Sequence, residues 1–180
     1  IIRPKLIVLY GLTGTGKITV PSGNVMLKSS SAVIFVNGPE FVVNNGNLQL
    51  DVSGSRFLMT NGSLRTYGNF QQTGNTVVCI SGSVVEIGDE LAGGTFNSTG
   101  NPSTSADWQN DGGYRYLYDN CINVTHDFQL QSTGSGTGIN GVDVICNNCI
   151  EIGDRGGNHA LGTDFGTADG DDSGNWQNSN

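Results

Sequence analysis

Charge is scarce in this chain, and basic charge most of all: 13% of its 180 residues are Asp, Glu, Lys or Arg, eight of them basic and sixteen acidic. The resulting net charge of −8 repels a phosphate backbone and an anionic bilayer alike, so nucleic acid is not expected as a partner. Long apolar runs are also missing, and nothing approaches the roughly 20 residues of a membrane-spanning helix. Helical apolar periodicity is missing as well, and Ala and Glu are sparse. Proline is scarce too, at 4 residues. What these absences leave is an all-β protein.

What is present in excess is glycine, 28 residues, together with Asn and Ser. Gly38, Gly46, Gly54 and Gly62 follow one another at intervals of eight, each after a small polar residue: Asn37, Asn45, Ser53 and Asn61. Four positions before each glycine stands an aliphatic residue: Ile34, Val42, Leu50 and Leu58. A run of about six residues closed by Asn-Gly or Ser-Gly reads as a strand and a tight turn, since Gly and Asn tolerate the positive φ that turns need. Gly68, Gly74, Gly82 and Gly88 prolong the punctuation. Short repeats in series indicate stacked β structure. Val33/Phe35, Phe41/Val43 and Phe57/Met59 flank the aliphatic position on the opposite face, and only Gln49/Asp51 is polar there. Both faces of three units are therefore apolar, and the outer one is expected to be covered by this chain or by another molecule.

A longer duplication follows. Glu86-Ile-Gly-Asp89 recurs as Glu151-Ile-Gly-Asp154 at an offset of 65, and Asp107-Trp-Gln-Asn110 recurs as Asn175-Trp-Gln-Asn178 at an offset of 68. Asn69-Phe-Gln has an echo in Asp127-Phe-Gln, and Val77-Val-Cys79 matches Val144-Ile-Cys146. One copy spans about 61–110 and the other about 120–178, with loop excursions expected near 92–120 and 155–175. The expected organisation is an N-terminal strand or cap segment over 1–24 and a solenoid over 25–180.

This grammar resembles the Gly/Asn-rich right-handed parallel β-helices of large bacterial surface proteins and adhesins, such as those of Bacteroidota. The resemblance implies a fold, a right-handed parallel β-solenoid, and an extracellular or cell-surface location. It transfers no active-site residue. A β-sandwich of hairpins is the alternative, because Asn-Gly also marks two-residue hairpins. The chain begins at Ile1 rather than Met, from which a removed leader or a start inside a longer protein is expected.

Several motifs are weighed for chemistry. Gly11-Leu-Thr-Gly-Thr-Gly-Lys17 resembles a phosphate-binding loop, but Ile18 stands where a hydroxyl must reach Mg²⁺, and Ile18-Thr-Val20 reads as a strand where a helix is required. The pairs Glu86/Asp89 and Glu151/Asp154 suggest the two carboxylates of glycosidic chemistry. A pair repeated in frame fits a strand-ending turn better. Trp108 and Trp176, also repeated in frame, are read as sealing one end of each copy rather than stacking on sugars. Asp169, Asp171 and Ser173 precede Gly174 with the oxygen spacing that opens a calcium loop, so calcium is the natural hard-cation partner of this tail. Cys79, Cys121, Cys146 and Cys149 are expected to form disulfides, as suits a secreted chain, with three connectivities open. Asn61, Asn97 and Asn123 head glycosylation sequons.

The function expected is structural: a self-assembling filament or surface-adhesion subunit, with a polysaccharide-binding or polysaccharide-degrading protein as the alternative. Self-assembly is expected to run head to tail into a homopolymer. The strongly apolar start, with Ile1, Ile2, Leu6, Ile7, Val8, Leu9 and Tyr10, supplies the strand that joins neighbours.

Overall fold

The computed structural model describes residues 6–10, 16–88, 106–125, 127–131, 141–152 and 176–179, with the backbone alone for 6–10, 131, 151 and 176–179. Every described element is a β-strand, and every strand pairing is parallel. Hairpins pair antiparallel strands, so the sandwich alternative is excluded. Among the described residues eighteen strands form three six-stranded sheets, each taking one strand in three. The chain thus winds through six three-sided coils.

Coil 1 holds β1 (Leu6–Tyr10), β2 (Lys17–Val20) and β3 (Val25–Leu27), and coil 2 holds β4 (Val33–Asn37), β5 (Glu40–Val43) and β6 (Leu48–Leu50). Coil 3 is β7 (Arg56–Thr60), β8 (Ser63–Thr66) and β9 (Phe70–Thr73), and coil 4 is β10 (Val77–Ser81), β11 (Val84–Ile87) and β12 (Trp108–Asp111). Coil 5 is β13 (Tyr114–Tyr118), β14 (Cys121–Val124) and β15 (Phe128–Gln131), and coil 6 is β16 (Val142–Cys146), β17 (Cys149–Ile152) and β18 (Trp176–Ser179). The first strands of all coils make sheet A, the second strands sheet B and the third strands sheet C.

The eight-residue spacing is one strand plus one corner, and three of these close a coil: Val33 and Arg56 are register partners 23 residues apart. The spacing does not hold one face. Ile34 and Leu50 point inward and are buried, whereas Leu58 lies outward between the inward Phe57 and Met59. The offsets of 65 and 68 each span two coils, joining β11 to β17 and β12 to β18. Of the excursion expected near 92–120, residues 106–120 belong instead to coils 4 and 5.

The corners explain the Gly/Asn signal. Between sheets A and B, coils 2 to 6 turn in two residues, and the first is always left-handed: Gly38 (φ 95°), Asn61 (φ 51°), Gly82 (φ 58°), Asp119 (φ 55°) and Asn147 (φ 53°). Only Gly and the short polar residues adopt this conformation cheaply. The second residue reaches along the rod. Ser83 Oγ accepts the Gly62 amide at 3.2 Å, Asn120 Oδ1 the Ser83 amide at 3.0 Å, and Asn148 Oδ1 the Asn120 amide at 2.9 Å. A second ladder precedes sheet C, where Asn24, Asn47, Asn69 and Asp107 each accept the amide of the equivalent residue one coil later at 2.9–3.1 Å. Backbone donors that a corner removes from the sheets are thereby satisfied.

Parallel, in-register stacking sets like positions over one another. In sheet C, Phe70, Trp108 and Phe128 stack in register at centroid separations of 5.0 and 5.5 Å, and Phe57 of sheet A meets Phe70 across the interior at 5.7 Å. All four are fully buried, each contributing about 1.5–3 kcal/mol from burial. Trp108 is therefore a core residue of the rod and seals no end.

Candidate functional site

With the inward positions filled, chemistry available to a partner sits on the three outer faces. On sheet C the outward column is Gln49, Gln71, Gln109 and Gln129 in register, and the backbone of β18 continues that register at Gln177. Gln49 donates to Gln71, and Gln71 Nε2 donates to Gln109 Oε1 at 2.8 Å. On sheet B a charge ladder runs Lys17–Glu40–Arg65–Glu86, with Lys17 Nζ 3.3 Å from Glu40 and Arg65 bonded to Glu86. Glu86 is thus held by a cation within a surface ladder. Its register partners place Asn123 between it and Glu151, while Asp89 and Asp154 lie outside the described residues.

Sheet A differs. Its central outward column reads Phe35, Leu58, Cys79, Tyr116 and Val144, and β13 turns Tyr114, Tyr116 and Tyr118 outward because Arg115 and Leu117 fill the interior. Among the described outward residues of this sheet there is no carboxylate, and Arg56 is the one charge. Of the apolar outer positions that the sequence suggested, Phe35 and Leu58 lie on this sheet, whereas Val42 lies on sheet B and is buried there. The outer face of sheet A is the most distinctive surface of the described residues, and we take it as the candidate site.

Beneath it lies a buried polar centre. Arg115 points into the rod and is fully buried. Its guanidinium pairs with Asp143, its register partner in the next coil, and Nε reaches Asp143 Oδ1 at 3.0 Å. Nη1 and Nη2 donate to the carbonyls of Trp108 and Gln129 at 3.4 and 3.2 Å, and Asn110 Nδ2 donates to Asp143 Oδ1 at 2.8 Å. The guanidinium also stands 3.8 Å from the Phe128 ring centroid and 5.0 Å from that of Trp108. Burial pushes the Arg115 pKa down while the Asp143 charge and hydrogen bond oppose that shift. The arrangement ties coils 4, 5 and 6 together through side chains of all three.

The cysteines are brought together only in part. All four are free thiols, so the expected bridges are absent. The reason is register: Cys79 stacks between Leu58 and Tyr116, and its counterpart in coil 6 is Val144, two residues short of Cys146. Burial pushes the Cys79 thiol pKa up, which disfavours its thiolate. Cys121 and Cys149, by contrast, are exposed register partners on adjacent strands, and exposed Cys146 ends the strand before the same corner.

Of the other expected residues, Leu6–Tyr10 is β1, paired along its length with β4 of its own chain, while Ile1 and Ile2 lie outside the described residues. Asp169, Asp171 and Ser173 also lie outside them. Among the described residues no group of three or more His, Cys, Asp and Glu could hold a metal. The supposed phosphate loop continues into strand β2, where Lys17 faces outward to Glu40. Of the sequons, Asn61 sits exposed at a corner, whereas Asn123 is buried with both side-chain polar atoms unpaired and is unavailable to a glycosylating enzyme. The tyrosine face went unread because Arg115 breaks the inward apolar pattern that would have shown Tyr114, Tyr116 and Tyr118 pointing out.

Comparison of the chain with protein-family models, with curated protein sequences and with solved structures finds no match in any of the three.

Proposed function

We propose that the protein is an extracellular structural element, a rigid solenoid rod that acts as a filament subunit or as a surface-adhesion module. The observation that supports this reading is the in-register stack of parallel strands in three sheets. Among the described residues, β1, β2 and β3 are bonded on one edge only, and so are β16, β17 and β18. The two ends present the same three-strand cross-section, with parallel strands that continue a ladder without a change of direction. Such edges are templates for further pairing. A head-to-tail contact is heterologous and propagates instead of closing. The outer ladders favour a structural role too, since Gln on Gln and Lys–Glu–Arg–Glu stiffen a rod between coils. The Gly/Asn-rich resemblance to bacterial surface proteins and adhesins, such as those of Bacteroidota, supports a cell-surface location.

The test is negative-stain electron microscopy with fibre diffraction of the full chain across a concentration series. Filaments with an axial repeat of about 4.8 Å, the parallel strand spacing, are expected. Deleting residues 1–10 is expected to shorten or abolish them while leaving a folded rod. Particles limited to the length of one stack at every concentration defeat the filament reading.

A further inference from the structure

We propose that the outer face of sheet A binds a neutral polysaccharide chain, laid flat across Tyr114, Tyr116 and Tyr118. The proposal holds whether or not the rods join end to end. Alternation along β13 (Tyr114–Tyr118) sends these three rings to one side, about 6.6 Å apart along the strand. Each is half-buried, and among the described residues none of the three hydroxyls makes a hydrogen bond, so donors and acceptors at the ring edges are unused. A sugar ring presents C–H groups on its faces and hydroxyls on its rim. Tyrosine matches both at once, with an apolar ring face and a polar tip, and it loses little conformational freedom on binding.

Charge and shape narrow the occupant further. The chain carries sixteen acidic residues, yet none lies among the described outward positions of sheet A. A neutral polymer meets no repulsion there, whereas a polyanion meets the net charge of −8 without a basic cluster to offset it. The three rings stand in a row along one strand, which suits an extended polymer, whereas compact small molecules take concave sites. A second copy fits poorly. Six strands at about 4.8 Å by five residues at about 3.3 Å give roughly 500 Å², against about 800 Å² per partner in a stable protein interface.

The experiment uses the full chain in pull-down and affinity electrophoresis with cellulose, chitin, laminarin and mannan, and with polygalacturonate as the anionic control. Retention by at least one neutral polymer and none by polygalacturonate is expected. Tyr116→Ala is expected to weaken that binding tenfold or more at an unchanged melting temperature. If that variant does not fold, Tyr116→Phe keeps the ring, and Tyr114→Ser removes one at the strand end; both are expected to bind a few-fold to tenfold more weakly. Quenching of tyrosine fluorescence by the bound polymer reads the same contact without mutation. No retention on any neutral polymer overturns the proposal, as does binding that folded tyrosine variants leave intact. Light scattering that shows a dimer lost on Tyr116→Ala overturns it in favour of a second copy. Loss of filaments with binding retained would refute only the structural reading, and the converse only this one.

Discussion

Coil 2 and the first two strands of coil 3 are filled by Ile34, Val36, Phe41, Val43, Leu48, Leu50, Phe57, Met59 and Leu64, with Thr66 the first polar residue at an inward strand position. From β9 (Phe70–Thr73) onward the same inward columns carry Gln72, Asn110, Arg115 and Asp143. One backbone therefore has two kinds of core. In the early coils the interior discriminates by volume alone, and a slip of one coil replaces an aliphatic residue by another. In the later coils a guanidinium must find one carboxylate, two carbonyls and an aromatic ring, and a slipped coil leaves it charged and unpaired. Long insertions also enter in these later coils, after Ile87 and after Ile152. Where the chain departs for many residues and must return to the right strand position, a polar lock specifies the register that apolar packing leaves loose.

The largest effect that would break this comparison comes from Asp143. Asp143→Ala leaves Arg115 buried without its carboxylate and takes an acceptor from Asn110, for an expected loss of about 3–5 kcal/mol in chemical denaturation. The double change Arg115→Met with Asp143→Leu is expected to restore most of that stability. If the lock is for register, hydrogen exchange in this double variant should still show faster opening in coils 5 and 6 than in coils 2 and 3. Uniform protection would mean the two cores differ only in composition.

A smaller effect sharpens the same contrast at the surface. Cys121 and Cys149 are the one register-matched thiol pair, so oxidised glutathione should convert them to a disulfide with release of two reduced glutathiones. The bond is expected to add about 2–4 kcal/mol to coils 5 and 6. Mass spectrometry should find Cys79 still alkylatable after that treatment. Oxidation of Cys79 first would contradict its burial and its raised pKa.

Next in size is the corner ladder. Asn148 donates to the carbonyls of Leu117 and Cys146, both at 2.8 Å, and accepts from Asn120. Asn148→Ala is expected to cost about 1–3 kcal/mol, the usual range when hydrogen-bonded groups lose a partner. Thermal melts would check it.

These corners were the legible part of the fold. Asn-Gly and Ser-Gly announced strand and turn, and the all-β parallel solenoid follows from them. Grouping of strands in threes was not legible, because an eight-residue spacing fixes strand length without saying how many strands close a coil. For the same reason the offset of 65 looked like one module and is two coils. The Val-x-Cys echo fell two residues out of register. The partner of Arg115 was invisible, since Asp143 is 28 residues away and meets it only once coil 5 is known to be followed by coil 6 in register. The tyrosine face was hidden by the same residue. Local turn chemistry is written in short words, whereas register depends on the total length of everything between two strands.

The smallest expected effect concerns Asp111, at the end of β12 (Trp108–Asp111), and it tests whether polar groups of the later coils all stabilise them. Asp111 Oδ1 is buried without a hydrogen-bond partner, and burial raises its pKa above the ordinary value of 3.8. No cation offsets that cost, in contrast to Asp143. In the unfolded chain the carboxyl ionises near its ordinary value, while in the folded rod it holds its proton to higher pH. Between those two values the folded state binds more protons than the unfolded state, so this group's contribution to stability falls as pH rises through the window and stays low above it. Asp111→Asn removes the titration. The variant is expected to melt slightly above the parent at pH 7 and together with it at pH 3, in a series of melts across that range. A variant that melts lower at pH 7 would mean the carboxylate is engaged after all, and the polar lock would then extend beyond Arg115 and Asp143 to the outer face of sheet C.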